Sequence, residues 1–597
     1  MVDSTLMAIG GVVRQSLSAS IVELSPAPEH RFVRPEFTTG LEIAVPSSVP
    51  HNKLITAQHN KLIIARHDKL MLARHSNHIN SKIMSTPSEK LAQSLESLEQ
   101  LQSHGKVAIR SADLSRVNRE RLLKNGFLRE IMKGWYIPTR PDQPVGESTA
   151  WFASFWQFCS DYFSDRFDDE WCLSPEHSLC LQVGNRTVPR QLIVRTPRGK
   201  NNSTVLPNGI SILDAQMSLP SKMVVEKKDG LNVYSLPAAL IFSSPTLFRR
   251  NPTDARAALA AIANVADVLD ILLDGGHTGI AGRLVGAFRN IGRIRLAEDI
   301  QNTMTAAGYD CREEDPFEFP TPISFSKRAR SPYISRLRMM WKTMRQPILE
   351  CFPQSPGLPH NSKSYMSEVQ NVYVTDAYHS LSIEGYRVSR ELIERVRLGS
   401  WKPDASENDR ELHDALAARG YWQSYQSVRE SLKRVLSGEN AGTVSDENHG
   451  DWYRELFAPS VTAGLLRPAD LAGYRSDQVF IRHSKHVPPN RTAVRDLMPT
   501  LFDLLREEEE AAVRVVLGHF AFVYIHPYMD GNGRIARFLM NVMLASGGYP
   551  WTVIPTSRRE QYLSALEEAS VHQNISPFAD LLSTLVSETM AGNPEAE

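Results

Sequence analysis

Cysteine is scarce in this chain. Five occur in 597 residues, at Cys159, Cys172, Cys180, Cys311 and Cys351, and none stands in a C-x-x-C pair. A scattered, odd-numbered set argues against a disulfide framework and a thiolate zinc site, and it fits a reducing cytoplasm. Charge imbalance is missing as well: 67 Lys and Arg face 67 Asp and Glu. A neutral chain has no overall pull toward nucleic acid or acidic membranes, although local patches are allowed. No uncharged run reaches the length of a membrane span. The most apolar stretch, Ala257 to Leu273, is broken by Asp267 and Asp270. The first residues lack the basic start and apolar core of a secretory signal. The length exceeds one hydrophobic core and points to about two to four domains.

The chemistry concentrates between Ala511 and Ser546, which reads as helix, tight polar loop, helix. Ala511 to Ile525, AAVRVVLGHFAFVYI, is nearly all apolar, and its length favours a deeply buried helix over a strand. After the loop, Ile535, Phe538, Leu539 and Val542 recur at the spacing of a core-facing helical stripe. Arg534, Arg537 and Asn541 fall on a second stripe, and Gly547-Gly548 ends the helix.

The loop between them runs His526-Pro527-Tyr528-Met529-Asp530-Gly531-Asn532-Gly533. Gly531 and Gly533 let amide N–H groups turn inward and a ligand approach closely. The following helix start adds unpaired donors and a positive dipole end. Two arginine forks suit a di- or triphosphate. Asp530 stands where a carboxylate and phosphate oxygens share a hard cation. His526 has the ordinary pKa of a general base at neutral pH. Taken singly, each part is bland: a turn, a helix-end histidine, a solvated arginine pair. In register between two apolar helices, they make an anion site beside a base.

This string resembles the signature of the Fic family, whose members move a nucleotide monophosphate, most often AMP from ATP, onto a hydroxyl of a target protein. The family pattern is His-Pro-Phe-x-(Asp/Glu)-Gly-Asn-Gly-Arg-x-x-Arg, and the chain departs from it only in Tyr528. The resemblance implies His526 as base, Asp530 as magnesium ligand, Gly531, Asn532 and Gly533 as the anion hole for the α- and β-phosphates, and Arg534 and Arg537 on the β- and γ-phosphates. It implies ATP as co-substrate, Mg2+ as cofactor, and a protein carrying a Ser, Thr or Tyr hydroxyl as partner.

Ser380-Leu381-Ser382-Ile383-Glu384-Gly385 is similar to the family's inhibitory motif, (Ser/Thr)-x-x-x-Glu-(Gly/Asn). It ends an expected helix over Glu368 to Glu384, with Gly385 in the C-cap place. Ser380 and Glu384 share one helical face. The resemblance implies that Glu384 pairs with Arg537 and keeps ATP in an unproductive pose. Tyr474 to Val487 resembles the family's flap, a short β-hairpin that registers a target segment by strand addition, with Ile481, His483, Lys485 and His486 as its docking residues. Tyr562, within Arg558-Arg559-Glu560-Gln561-Tyr562, is similar in position to a residue that lines the nucleotide-base pocket. The resemblance covers about Ser364 to Val586.

The remaining chain is read more coarsely. Four octads start at His51, His59, His67 and His75. A period of eight fits no helical or solenoid repeat. It reads as a translated tandem nucleotide repeat, with Met84 as the biological start. Beyond it, an amphipathic helix over Glu89 to His104, a short helix capped at Ser111-Ala112-Asp113-Leu114, a basic helix over Arg116 to Asn125 and a wing over Phe127 to Pro138 suggest a winged helix-turn-helix. It resembles the N-terminal domain of AbiEi-type antitoxins, with Arg116, Arg119, Arg121 and Lys124 as candidate DNA contacts. The fold expected is multidomain and mainly α, with a disordered or mis-annotated leader over 1–83, the winged helix over 84–145, an α+β companion domain over 146–314, a Pro-rich linker over 315–360 and an all-α Fic domain with a β flap over 361–590. The function expected is an autoinhibited protein adenylyltransferase, cytoplasmic, without a membrane partner and open to homo-oligomerisation. Two alternatives remain: a DNA-binding or antitoxin-like regulator that only senses nucleotide, and a Fic enzyme that removes AMP or uses another donor.

Overall fold

The computed structural model describes residues 86–139, 141, 148–320, 331–401, 409–476 and 478–596. The leader with its octads lies outside the described residues.

The first layer is small. Helix α1 (Pro87–Ser103) starts at a capping box in which Thr86 and Glu89 satisfy each other's amides. Strand β1 (Ile109–Arg110), helix α2 (Arg116–Lys124), β2 (Leu128–Met132) and β3 (Trp135–Pro138) follow, with the sheet ordered β1-β3-β2. Leu98, Ile109, Leu114, Leu122, Leu128 and Tyr136 form its core. The expected short helix at Ser111–Leu114 is absent. Ile109 pairs with Tyr136 in the sheet, and Asp113 turns its carboxylate back onto the Arg110 amide at 2.7 Å. That local bond closes a turn where a helix cap was expected; Ser115 caps α2 instead. Two of the four basic residues proposed for DNA are committed inside the chain. Arg121 donates to the Lys90 carbonyl and to Ser94 Oγ, tying α2 to α1. Arg119 donates to the Ser111 carbonyl. Arg116 is exposed and pairs with Glu120.

The companion layer opens with α3 (Thr149–Phe167), whose buried Trp151, Phe152, Phe155, Phe158 and Phe163 pack as one aromatic block. Strand β4 (Cys172–Leu173) and helix α4 (Pro175–Gln182) lead to β5 (Gln191–Thr196), β6 (Asn202–Leu206) and β7 (Ile210–Gln216). The sheet order is β4-β5-β7-β6, with β5 and β7 parallel (Leu192 opposite Ile212) and the outer pairs antiparallel. Leu192, Val194, Leu206, Ile210 and Ile212 turn one face of it onto the aromatic block. A hairpin of β8 (Val225–Lys228) and β9 (Leu231–Tyr234) precedes six helices, α5 (Leu236–Phe242), α6 (Pro245–Arg250), α7 (Pro252–Ala261), α8 (Ala266–Asp274), α9 (Thr278–Asn290) and α10 (Ile294–Ala306), which share a second core.

The stretch expected to be a linker holds a twenty-residue helix, α11 (Pro332–Cys351). Its proline count misleads, because Pro332 occupies the first turn, where the missing N–H costs nothing. Leu337, Met340, Trp341, Met344 and Ile348 form a stripe into the C-terminal core. Met339, on another face, enters the companion core. The helix therefore belongs to two cores at once.

The C-terminal layer is helical throughout: α12 (Ser362–Ile383), α13 (Arg390–Arg397), α14 (Asp409–Leu436), α15 (Ala441–Thr462), α16 (Arg491–Glu507), α17 (Ala511–Ile525), α18 (Asn532–Ser546), α19 (Arg559–His572) and α20 (Ser576–Met590). Helices α17 and α18 stand at the centre, buried on nearly every side. One ion pair fastens this layer to the companion. Arg336 on α11, 3% exposed, donates to Asp254 on α7, 0% exposed, at 2.7 Å, and also to the Tyr524 hydroxyl on α17. Asp254 also accepts from Asn185 at 2.6 Å. Replacing Asp254 by alanine leaves a buried guanidinium without its counter-charge. The expected cost is about 3–5 kcal/mol, read as a lowered urea midpoint; an unchanged midpoint removes this pair from the account of how the layers are held.

Candidate functional site

The site is built where α17 ends and α18 begins. Helix α17 stops because His526 takes a left-handed conformation, φ 53° and ψ 61°, and Pro527 cannot continue the helix. For a residue with a Cβ this costs about 1–2 kcal/mol. The turn that follows is clamped by Asn532, whose Oδ1 accepts the Tyr528 N–H at 2.9 Å and whose Nδ2 donates to the Tyr528 carbonyl at 2.8 Å. The Tyr528 ring stacks on Tyr453 with centroids 3.8 Å apart, so the aromatic that departs from the family pattern is a packing residue. Gly531, at φ 78°, closes the turn under Phe457, whose ring lies 2.8 Å from where a Cβ would stand.

His526 is the titratable group at this corner. Its Nδ1 lies 3.1 Å from the Val523 carbonyl. A carbonyl only accepts, so Nδ1 carries the proton and Nε2 keeps its lone pair. Loss of solvent pushes the imidazole pKa down to about 4, which keeps Nε2 free at neutral pH.

Arg534 and Arg537 both lie in the first turns of α18 and are 1% and 4% exposed. Arg534 is clasped between the rings of Tyr386 and Phe457, 5.1 and 5.2 Å from their centroids. Neither ring carries a sequence signal beyond Tyr386 lying two residues past Glu384. Arg537 donates through Nε to Ser380 Oγ at 2.8 Å, and through Nη2 to the Ser380 carbonyl at 3.0 Å and to Glu384 Oε1 at 2.7 Å. Burial works against the Arg537 charge, and the Glu384 carboxylate offsets it enough to raise the guanidinium above its usual value. Glu384 caps α12, with Gly385 following at φ 93°. Its Oε1 lies 2.3 Å from where a Cβ on Gly533 would stand. The carboxylate thus rests on the first turn of α18, the place where a helix start accepts an anion. Arg534 Nε and Arg537 Nη1 are buried donors with no hydrogen-bond partner among the described residues. Such donors fit an anionic ligand. Asp530 is largely exposed at the loop tip, one oxygen accepting the Gly531 amide at 2.6 Å and the other 3.6 Å from Arg534. A lone open carboxylate beside a phosphate-sized anion site suits magnesium, which takes one or two carboxylates plus phosphate oxygens.

Three sequence expectations need correction. Tyr562 does not face an open base pocket: it is 2% exposed, its hydroxyl is bonded to His519 Nε2 at 2.8 Å, and its ring packs near Phe578. Residues 474–487 form no β-hairpin among the described residues. Their backbone groups are engaged elsewhere: the Lys485 amide by Glu567, the Lys485 carbonyl by the Val188 amide, and the His483 amide by Thr149 Oγ1. His486 is not a docking residue either. It is 3% exposed, bonded to the Tyr524 carbonyl at 2.9 Å and stacked on the Tyr524 ring. Ile481 and Lys485 are partly exposed, and His483 is exposed. A residue that no motif flagged is Asp376 on α12, one turn before Ser380. Burial raises its carboxyl to about 6, and Tyr421 and Trp551 donate to it at 2.6 and 3.1 Å.

Residues 449–544 match the Fic/DOC family model. A protein adenylyltransferase Fic from Drosophila willistoni is 34% identical over 236 residues, covering 39% of this chain and 44% of its own. One of the same description from Nematostella vectensis is 27% identical over 244 residues, covering 39% and 52%. The chain thus spans about half the length of these curated relatives. Among solved structures, Fic-1 from C. elegans aligns at 15% identity over 60% of this chain and 90% of its own, with a TM-score of 0.32.

The buried histidines set a pH dependence of stability. Loss of solvent lowers His486 and His519 to about 3, and His177 and His526 to about 4. The unfolded chain binds protons at these sites below about pH 6.5, the folded chain only near pH 4 and below, so this stability is present above about 6.5 and is lost as pH falls. Asp376, raised by burial, works in the opposite sense, but it is one group against four. The urea midpoint should therefore be lower at pH 5 than at pH 7, by more than about 1 kcal/mol of stability. A flat profile over that window would show that the histidines are solvated.

Proposed function

We propose that this chain, which belongs to the Fic family through its C-terminal domain, is a protein adenylyltransferase held inactive at rest, moving AMP from magnesium-ATP onto a Ser, Thr or Tyr hydroxyl of a target protein or of itself. One observation carries the reading: Glu384 occupies Arg537 and the start of α18, in the place an ATP phosphate needs, while a neutral His526 stands at the entrance.

The chemistry follows from the side chains. A target hydroxyl oxygen attacks the α-phosphorus, forming a P–O bond as the bond from that phosphorus to the bridging oxygen breaks and pyrophosphate leaves. His526 Nε2 takes the hydroxyl proton, because Nδ1 is committed to the Val523 carbonyl. The amides at the start of α18 and the guanidinium groups of Arg534 and Arg537 hold phosphate oxygens where negative charge builds. Magnesium would be held by Asp530 and would neutralise negative charge on the phosphates. With Glu384 in place, Arg537 has only Nη1 to offer, and a phosphate would meet a carboxylate on Gly533. Resting inhibition thus has two parts, a guanidinium already engaged and a like charge in the way.

Purified protein incubated with magnesium-ATP and weighed intact is the direct test. Wild type should gain little mass. Glu384→Gly should gain whole AMP units at least about tenfold faster, the effect of removing a contact worth more than about 1.4 kcal/mol. His526→Ala and Arg537→Ala should abolish the gain in either background. A Glu384→Gly protein that binds ATP yet never gains AMP, alone or with cell extract as target source, removes the transferase reading and leaves a nucleotide sensor.

A further inference from the structure

The left-handed turn at His526 raises a question that the nucleotide site does not answer: what holds an imidazole-bearing residue in a conformation glycine usually takes. Arg475 supplies the contacts. It precedes α16, and it is only 4% exposed despite its charge. Its Nε donates to the His526 carbonyl at 2.7 Å, and its Nη2 reaches the Ile525 carbonyl at 3.4 Å. The same Nη2 donates to the Pro489 carbonyl. The Arg475 backbone N–H donates to the Pro527 carbonyl at 2.9 Å. Main chain and side chain of one residue therefore hold three successive carbonyls, on Ile525, His526 and Pro527.

This is where α17 runs out of partners. The last carbonyls of a helix have no intrahelical donor, and a cation there also meets the negative end of the dipole. At an ordinary glycine-capped end, the amides that follow bond back to these carbonyls. Here Pro527 has no N–H to give. The planar fork of an arginine, with five donors in fixed geometry, can serve several carbonyls at once; an ammonium cannot reproduce that spread.

We propose that Arg475 is a positioning residue for His526: its guanidinium fixes the left-handed turn that aims the imidazole. The contacts that join Arg475 to the site run through the turn at His526. Four ionisable groups bear on the imidazole: Arg475 opposes its protonation, Glu384 and Asp530 favour it, and the neighbouring His486 is itself held neutral by burial. The inference rests on the transferase reading for its kinetic arm, but not for its spectroscopic one.

The test uses the full chain with Glu384→Gly, so that transfer is measurable, and adds Arg475→Lys or Arg475→Gln. Lysine keeps the charge and loses the fork; glutamine keeps some donors and loses the charge. Both should lower kcat for AMP transfer at least about tenfold, with KM for ATP within about twofold, because misaiming the base costs rate and leaves phosphate binding intact. The acid limb of the pH profile should move toward neutral pH in Arg475→Gln and stay in place in Arg475→Lys. A purely architectural arginine would lower the melting temperature in both variants without moving that limb. The second readout is the His526 imidazole titration by NMR, assigned with His526→Ala: its pKa should rise in Arg475→Gln. Unchanged kcat in both variants, or an unmoved His526 titration, overturns the proposal. If Glu384→Gly shows no transfer, the transferase reading fails, and the NMR titration still decides the role of Arg475.

Discussion

Two guanidinium groups buried against the start of one helix govern this molecule. Arg534 and Arg537 are almost free of solvent, and a buried charge must be compensated or its burial is costly. The chain answers differently at each. Arg534 is given two aromatic faces and a distant carboxylate. Arg537 is given Ser380 and Glu384. The second answer comes from α12, an element that is not part of the loop, and a phosphate is an alternative counter-charge. On the function proposed above, a phosphate and the Glu384 carboxylate compete for one positive group.

The same loss of solvent acts on the His526 imidazole. His526 is stripped of enough solvent to stay unprotonated, and the Val523 carbonyl selects which nitrogen keeps the lone pair. A half-buried imidazole on a left-handed turn needs a rigid surround. It receives one from the Asn532 clamp, the Tyr453–Tyr528 stack and the Arg475 fork. These contacts come from three separate stretches of chain: Tyr453, Arg475 and the loop from His526 to Asn532.

That dispersal explains what the sequence disclosed and what it withheld. The string from His526 to Arg537 was legible because its parts are adjacent and their roles follow from turn, dipole and side-chain chemistry. Ser380 and Glu384 were legible because one helical turn brings them together, although only the fold could bring them to Arg537. Arg475 was opaque: a single arginine fifty-one positions from its partner His526 leaves no periodic trace. Helix α11 was missed because prolines at 316–359 read as punctuation, whereas Pro332 opens a helix and Pro347 sits within it. Tyr562 turns inward, its hydroxyl on His519 and beside Arg537, a placement that its position in the sequence could not show. The hairpin expected at 474–487 had the right alternation, but its amides and carbonyls found partners in α19 and the companion layer before they could find one another.

That last capture bears on how a target would meet the site. Phe480 and Val487 pack into the aromatic core of the companion layer, and the Lys485 carbonyl and His483 amide are bonded to Val188 and Thr149. A strand adding at this edge would have to displace those two hydrogen bonds, each worth about 0.5–1.5 kcal/mol, and re-bury one or two apolar side chains worth about 1.5–3 kcal/mol each. The sum is several kcal/mol, comparable to the binding energy of a weak peptide. Docking by strand addition at 483–487 therefore demands either a target that repays that sum or a companion layer that moves away. Movement is itself opposed by the buried Asp254–Arg336 pair, which anchors the companion to the helix that carries His526 at its end.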